Sequence, residues 1–273
     1  MELSLLFDKI SFPKQARDGV LSHIKGVDLQ KYEKYIEGLM CATDYAKAYE
    51  ALKAEIGEDA HERTMLCIEL VSAVRAHANY VARGISDEIY FETMKVYTRY
   101  AQEYLDTYGT WGFDRGFWVP RHSALTIFRL GTLEYEYTSV RGEQVIYVHI
   151  PGDAVLTDEK MDESVAFARE FTGRYYPERA ECKMITETWL IAPRLRPLLR
   201  EDSRILKFMN RFEIVDESSS EGALRFLFNQ PRVIPLCEVD VDALPGDTSL
   251  RRAVKELYKS GVGLGQAYGI LKE

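Results

Sequence analysis

The sequence predicts an α+β protein in two parts, an all-helical N-terminal domain over residues 1–117 and a mixed-sheet domain over 118–273. Three observations carry that reading. Apolar residues recur at helical spacing from Glu2 to about Gly109, and after Pro120 the period changes to two. Between them "YGTWGFDRGFWVP", residues 108–120, breaks both patterns with three glycines and a proline. The 273 residues, 46% of them hydrophobic, supply enough apolar side chain for a substantial core without staples.

In the first part, glycines at Gly26, Gly57, Gly84 and Gly109 mark expected helix ends and delimit about five helices. The clearest is the last. Tyr90, Met94, Tyr97, Ala101, Tyr104 and Tyr108 form one stripe after a Ser86 cap with Asp87 and Glu88 in the first turn, a pattern that reads as core. The 108–120 run carries Trp111, Phe113, Phe117 and Trp118, too much aromatic surface for a disordered linker, and reads as a packed interdomain connection.

In the second part, "ALTIFRL" and "LEYEYTSV" read as strands. The latter places Leu133, Tyr135 and Tyr137 on a buried face and Glu134, Glu136 and Thr138 on a wetter one. Val145 to Ile150 is a strand apolar on both faces except for His149, joined to its predecessor through "RGE" at 141–143. A helix capped by Thr157, with Asp158 and Glu159 in its first turn, buries Met161, Val165, Ala168 and Phe171 and ends before Pro177. Next come a strand over 183–191, helical turns from Arg194 to Phe212, and two strands, "FEIVDE" and "ALRFLFN", joined through "SSSEG". Residues 230–247 read as irregular. A helix capped by Thr248 and closed by Gly261 then leads through a glycine-rich turn into a short strand.

Composition narrows the function. The formal charge is −8 and no basic run offers a counterion-releasing surface, so nucleic acid is a poor partner. Cys41, Cys67, Cys182 and Cys237 are isolated, as are the five histidines; the thiols read as reduced and structural, and a zinc site is not expected. Apolar stretches such as "VIYVHI" are too short to span a bilayer and the opening "MELSLLFDKI" is acidic where a signal peptide is basic, so a soluble cytoplasmic protein is expected.

The words "FRLGTLEYEY" (128–137), "VHIPGDAVLTDEKMDESVAFAREF" (148–171), "TWLIAPRLRPLL" (188–199), "SRILKFMNRFEI" (203–214) and "GDTSLRRAV" (246–254) resemble a bacterial family of acyltransferase-domain proteins, with a helical N-terminal domain and a GNAT-like C-terminal domain. The resemblance covers most of 120–260. It implies transfer of an acyl group from acetyl-CoA or another acyl-CoA to an unidentified amine, in a cleft where strand 145–150 splays from strand 183–191. It also places the diphosphate of the cofactor near Ile150, Gly152, Asp153 and Ala154.

The loop itself argues the other way. "PGDAVLTDEK" has one glycine, a proline that deletes a donor, and neither Arg nor Gln. Asp153, Asp158 and Glu159 stand where phosphates would sit; at about 5 Å and an effective dielectric near 20, each repels a unit negative charge by roughly 3 kcal/mol, enough to offset the helix dipole. Lys160 supplies a single flexible charge. The loop is therefore not expected to hold a phosphate, and the cofactor either binds by another route or has been lost. The glycine-rich tail at 260–269 follows a helix C-terminus, the wrong pole for an anion.

Acyl transfer to an amine needs a base and an acid. His149 is one candidate, with Glu136 opposite it if the hairpin closes at Gly142–Glu143; a three-residue loop would put Tyr135 there instead. Glu187, on strand 183–191, is the other. The helix after that strand, "SRILKFMNRF", lacks the tyrosine acid that GNAT enzymes commonly place there. The competing reading is a catalytically inactive GNAT-like protein that binds a small ligand or a protein partner.

Overall fold

The structure, a computed structural model, describes residues 1–228, 230 and 234–272. The chain divides into two compact units, Met1–Leu130 with Glu134–Glu136, and Gly131–Leu133 with Tyr137–Glu273, whereas the sequence reading divides it between 117 and 118. No helix among the described residues is long and apolar enough to cross a membrane.

The first unit contains α1 (Leu3–Ile10), α2 (Lys14–His23), α3 (Glu33–Leu39), α4 (Tyr45–Ile56), α5 (Arg63–Ala82) and α6 (Asp87–Tyr108), six long segments where about five were expected. A short α7 (Pro120–Ser123) and strand β1 (Ile127–Leu130) follow. Helix α5 is the hub, packing against α1, α2, α3, α4, α6 and α7. It is buried on several sides, so its sequence shows no single apolar stripe. Its start is fixed by the Asp59 carboxylate, which accepts from the Thr64 and Met65 N–H groups at 3.1 and 2.9 Å.

Helix α6 begins as expected, with Ser86 Oγ accepting from the Ile89 N–H, and closes on Gly109 in the left-handed region. Its tyrosine stripe is core: Tyr90 and Tyr97 donate to the Ala73 and Glu69 carbonyls of α5 at 2.8 and 3.2 Å. Tyr108 departs from the expectation, lying past the packed turns and 44% exposed. Gly26 also departs, ending a 3-10 turn without a positive φ. In the 108–120 run Phe113 is buried, while Phe117 projects into solvent.

Strand β2 (Leu133–Val140) follows β1. Its expected wet face is not wet: Glu134 and Glu136 are both buried. Arg99 pairs with Glu134, His122 Nε2 lies 3.7 Å from the same carboxylate, and Arg121 Nε donates to Glu136 at 3.1 Å. Burial alone would raise the Glu134 carboxyl, but Arg99, His122 and Arg129 hold it well below the usual range. Alternation showed the geometry correctly; the cations that neutralise these acids lie far away in sequence.

Glu69 on α5 is the opposite case. Among the described residues neither carboxylate oxygen has a hydrogen-bond partner, and Gly116 packs against the side chain so closely that an added Cβ would lie 3.0 Å from Oε1. Burial, then the charge of Glu62, pushes its pKa well above the carboxylate range.

In the second unit β3 (Glu143–His149) is followed by α8 (Asp158–Tyr175), β4 (Met184–Thr188), α9 (Arg204–Asn210), β5 (Phe212–Ser218), α10 (Gly222–Phe228), α11 (Ser249–Lys259) and β6 (Gln266–Leu271). The sheet order is β1-β2-β3-β4-β6-β5. Strand β4 is shorter than the expected 183–191, because Thr188 Oγ1 accepts the Leu190 N–H and turns the chain into a 3-10 helix. Residues 223–228, expected as a strand partnering β5, are helical, and Asn229 lies outside the described residues. The partner of β5 is instead β6, the tail strand, which inserts antiparallel between β4 and β5. In the expected irregular stretch 230–247, Pro231, Arg232 and Val233 lie outside the described residues, and short 3-10 turns form at Leu236–Glu238 and Val241–Ala243.

The β2–β3 turn is Arg141–Gly142, both at positive φ, the two-residue type that matches strand twist. It lies one residue earlier than the Gly142–Glu143 turn that would set Glu136 opposite His149. Helix α8 starts at Thr157, whose Oγ1 accepts from the Lys160 N–H, and ends before Pro177 as expected. Ser164 takes the buried place expected for Val165: its Oγ accepts the Leu133 N–H, and a Cβ on Gly131 would lie 3.1 Å from its Cα. Thr132 ties down the preceding loop, its Oγ1 accepting the Val155 N–H at 2.6 Å.

Two outcomes follow. A group whose folded pKa is raised lets the folded state hold a proton the unfolded state has lost, so stability falls as pH rises above about 4.5, by up to about 1.4 kcal/mol per pH unit. Glu69→Gln is therefore expected to stabilise the protein more at pH 8 than at pH 4 in urea unfolding. Thr132→Val is expected to cost about 1–2 kcal/mol and to speed amide exchange at Val155, read by hydrogen-deuterium exchange.

Candidate active site

Strands β3 and β4 run parallel, with Ile146 opposite Met184 and Tyr147 opposite Ile185. The Ile146 N–H donates to the Lys183 carbonyl at 3.0 Å, as a parallel ladder requires. The next rung would send the Glu187 N–H to the Val148 carbonyl. It goes elsewhere: the Glu187 N–H donates to Tyr147 Oη at 2.9 Å, and the same hydroxyl donates to the Glu187 carbonyl at 3.0 Å. One phenol thus satisfies both backbone groups of Glu187, and the two strands part beyond Tyr147.

Both strands stay in the sheet on their other sides: β3 lies beside β2 and remains strand as far as His149. Strand β4 stays paired with β6 through Glu187–Tyr268 and Thr188–Ala267. Two residues past the end of β3 stands Pro151, which has no N–H to offer a continuing ladder.

Around the opening, the Tyr147 and His149 rings stack at 4.5 Å with 16° between planes. The Glu187 carboxylate accepts from Gln266 Nε2 at 3.0 Å and Ser218 Oγ at 3.3 Å, so three strands fix its position. The fold therefore brings His149 and Glu187 to one opening, on either side of Tyr147. Glu136, with its carboxylate held by Arg121, belongs to the first unit. Tyr147 was missed by sequence reasoning, which saw only an apolar strand position; its partner is 40 residues away.

Ile150 leads from β3 into the loop. Pro151 to Ala154 form a β-turn, the Ala154 N–H donating to the Pro151 carbonyl at 2.9 Å, with Gly152 and Asp153 exposed at its tip. The Val155 N–H goes to Thr132. The loop thus engages two of its own amides, those of Ala154 and Val155. The electrostatic argument against a phosphate at this loop needs correction at one residue. Asp158 is not a bare negative charge: Arg211 and Lys207 reach it at 3.1 and 3.3 Å, and these two hydrogen bonds hold its carboxyl below the usual value. Lys160, the cation noted in the sequence, pairs with Glu163. Among the described residues no group of three His, Cys, Asp or Glu could hold a metal.

Residues 127–271 match the GNAT-like C-terminal domain and residues 1–125 the N-acyltransferase N-terminal domain. No curated protein sequence matches the chain. Among solved structures, an acyltransferase in complex with decanoyl-CoA and teicoplanin is similar over 99% of this chain and 87% of that one, at 22% identity and a TM-score of 0.81. An acyltransferase mutant in complex with octanoyl-CoA is similar over 98% of this chain and 86% of that one, at 22% identity and a TM-score of 0.80. An acyltransferase in complex with CoA and 10C-teicoplanin is similar over 100% of this chain and 88% of that one, at 21% identity and a TM-score of 0.78. The chain belongs to the family that carries the GNAT-like C-terminal domain, here preceded by an N-acyltransferase N-terminal domain.

Proposed function

We propose that the protein is an acyl-CoA-dependent N-acyltransferase whose acceptor is an amine. The observation that carries the reading is the parting of β3 and β4 after Tyr147, with His149 stacked on the Tyr147 ring and Glu187 bonded to its hydroxyl. The similar solved acyltransferases, which hold decanoyl-CoA, octanoyl-CoA and teicoplanin, support an acyl thioester as donor.

The opening fits a thioester arm, a single extended chain lying between strands. At the diphosphate end fewer groups serve, because Pro151 has no N–H and the Ala154 and Val155 amides are engaged; the first-turn amides of α8, flanked by Lys207 and Arg211, are the groups left to hold it. The thioester supplies an activated carbonyl and a thiolate leaving group. Glu187, oriented by Gln266 and Ser218, takes the proton from the attacking amine as the N–C bond forms and the C–S bond breaks. His149, stacked on Tyr147, is the alternative base.

The engaged loop amides favour a second reading, a GNAT-like protein that binds a ligand without turnover. Thermal unfolding with millimolar acyl-CoA separates binding from its absence: donor at a hundred times its dissociation constant stabilises the folded state by about 2.7 kcal/mol. Glu187→Gln is expected to keep that shift and lose about 10²-fold or more in acylation rate with any amine that proves active. A shift in the wild type without turnover of any amine would favour the second reading, and no shift with any acyl-CoA would remove the first.

A further inference from the structure

The phenol between the strands has a consequence for which donors fit. Tyr147 lies at the inner end of the opening, where the ladder closes, and its hydroxyl is tied twice to the Glu187 backbone. His149 stacks on the ring and fixes its plane. Beneath it the ladder is apolar and closed: Ile146, Met184 and Ile185 are all buried. A chain entering from the open end meets the Tyr147–His149 ring pair before it reaches that floor.

We propose that Tyr147 determines acyl chain length, its ring being the wall against which the end of the donor's acyl chain stops. The assignment rests on the transferase reading above. Short chains end before the wall, and longer ones must break both phenol bonds and displace the ring. Without the ring, further methylenes lie against Ile185 and its neighbours and gain the ordinary free energy of apolar burial, roughly fourfold in affinity for each one.

The test uses the full chain and calorimetric titration with CoA and with acetyl-, butyryl-, hexanoyl-, octanoyl- and decanoyl-CoA, so it needs no acceptor. In the wild type affinity is expected to rise with chain length and then stop. In Tyr147→Ala it is expected to keep rising beyond that point by roughly fourfold per methylene, while any change for CoA itself stays smaller than the gain for the longest chain. Tyr147→Leu, which leaves an apolar filling and guards against loss of folding in the smaller variant, is expected to shift the break point less and in the same direction. An unchanged break point in either folded variant overturns the assignment, as does a change for CoA as large as that for the longest chain. Wild-type protein that binds no acyl-CoA overturns the transferase reading itself, a result distinct from binding with an unmoved break point.

Discussion

A parallel strand pair cannot simply come apart inside a sheet, because every backbone N–H and C=O it exposes loses a partner. In this protein the separation of β3 from β4 is made tolerable by one side chain. Tyr147 reaches across and satisfies both backbone groups of Glu187, so β4 stays paired with β6 and β3 with β2 while the bonds between β3 and β4 end. Each bond is worth about 1 kcal/mol net, and leaving the Glu187 groups unpaired would cost more than that. The opening that the proposed chemistry uses thus depends on a phenol standing in for a rung of the ladder.

The surroundings of that opening are fixed by the same principle, that buried or crowded polar groups must be matched. Thr132 and Ser164 tie the loop and α8 to the strand entry at 131–133. Arg211 and Lys207 neutralise Asp158 at the start of α8. In the first unit Arg99 and Arg121 do likewise for Glu134 and Glu136, whereas burial pushes the Glu69 carboxyl well above the usual range.

Much of this was legible in the sequence wherever the signal is local. Ser86, Thr157 and Thr248 all cap the helices assigned to them, and Gly261 takes the expected left-handed turn. What failed depended on partners distant in the chain. Alternation in 133–140 gave the strand but not the burial of Glu134 and Glu136, since Arg99 and Arg121 lie on other elements. The apolar run 223–228 is too short for periodicity to separate strand from helix, and the tail strand β6 took the place expected for it beside β5. His149 and Glu187 were singled out for their chemistry, yet Tyr147, which lies between them, carries no local mark at all.

The most direct measurement is amide exchange at Glu187 in the free protein. If its N–H is held by the Tyr147 hydroxyl, Tyr147→Phe speeds exchange at that amide by about tenfold while the Ile185 amide, still within the ladder, is unchanged. Equal exchange at Glu187 in the two proteins would mean that the strands remain paired there, and the opening between them would have no basis.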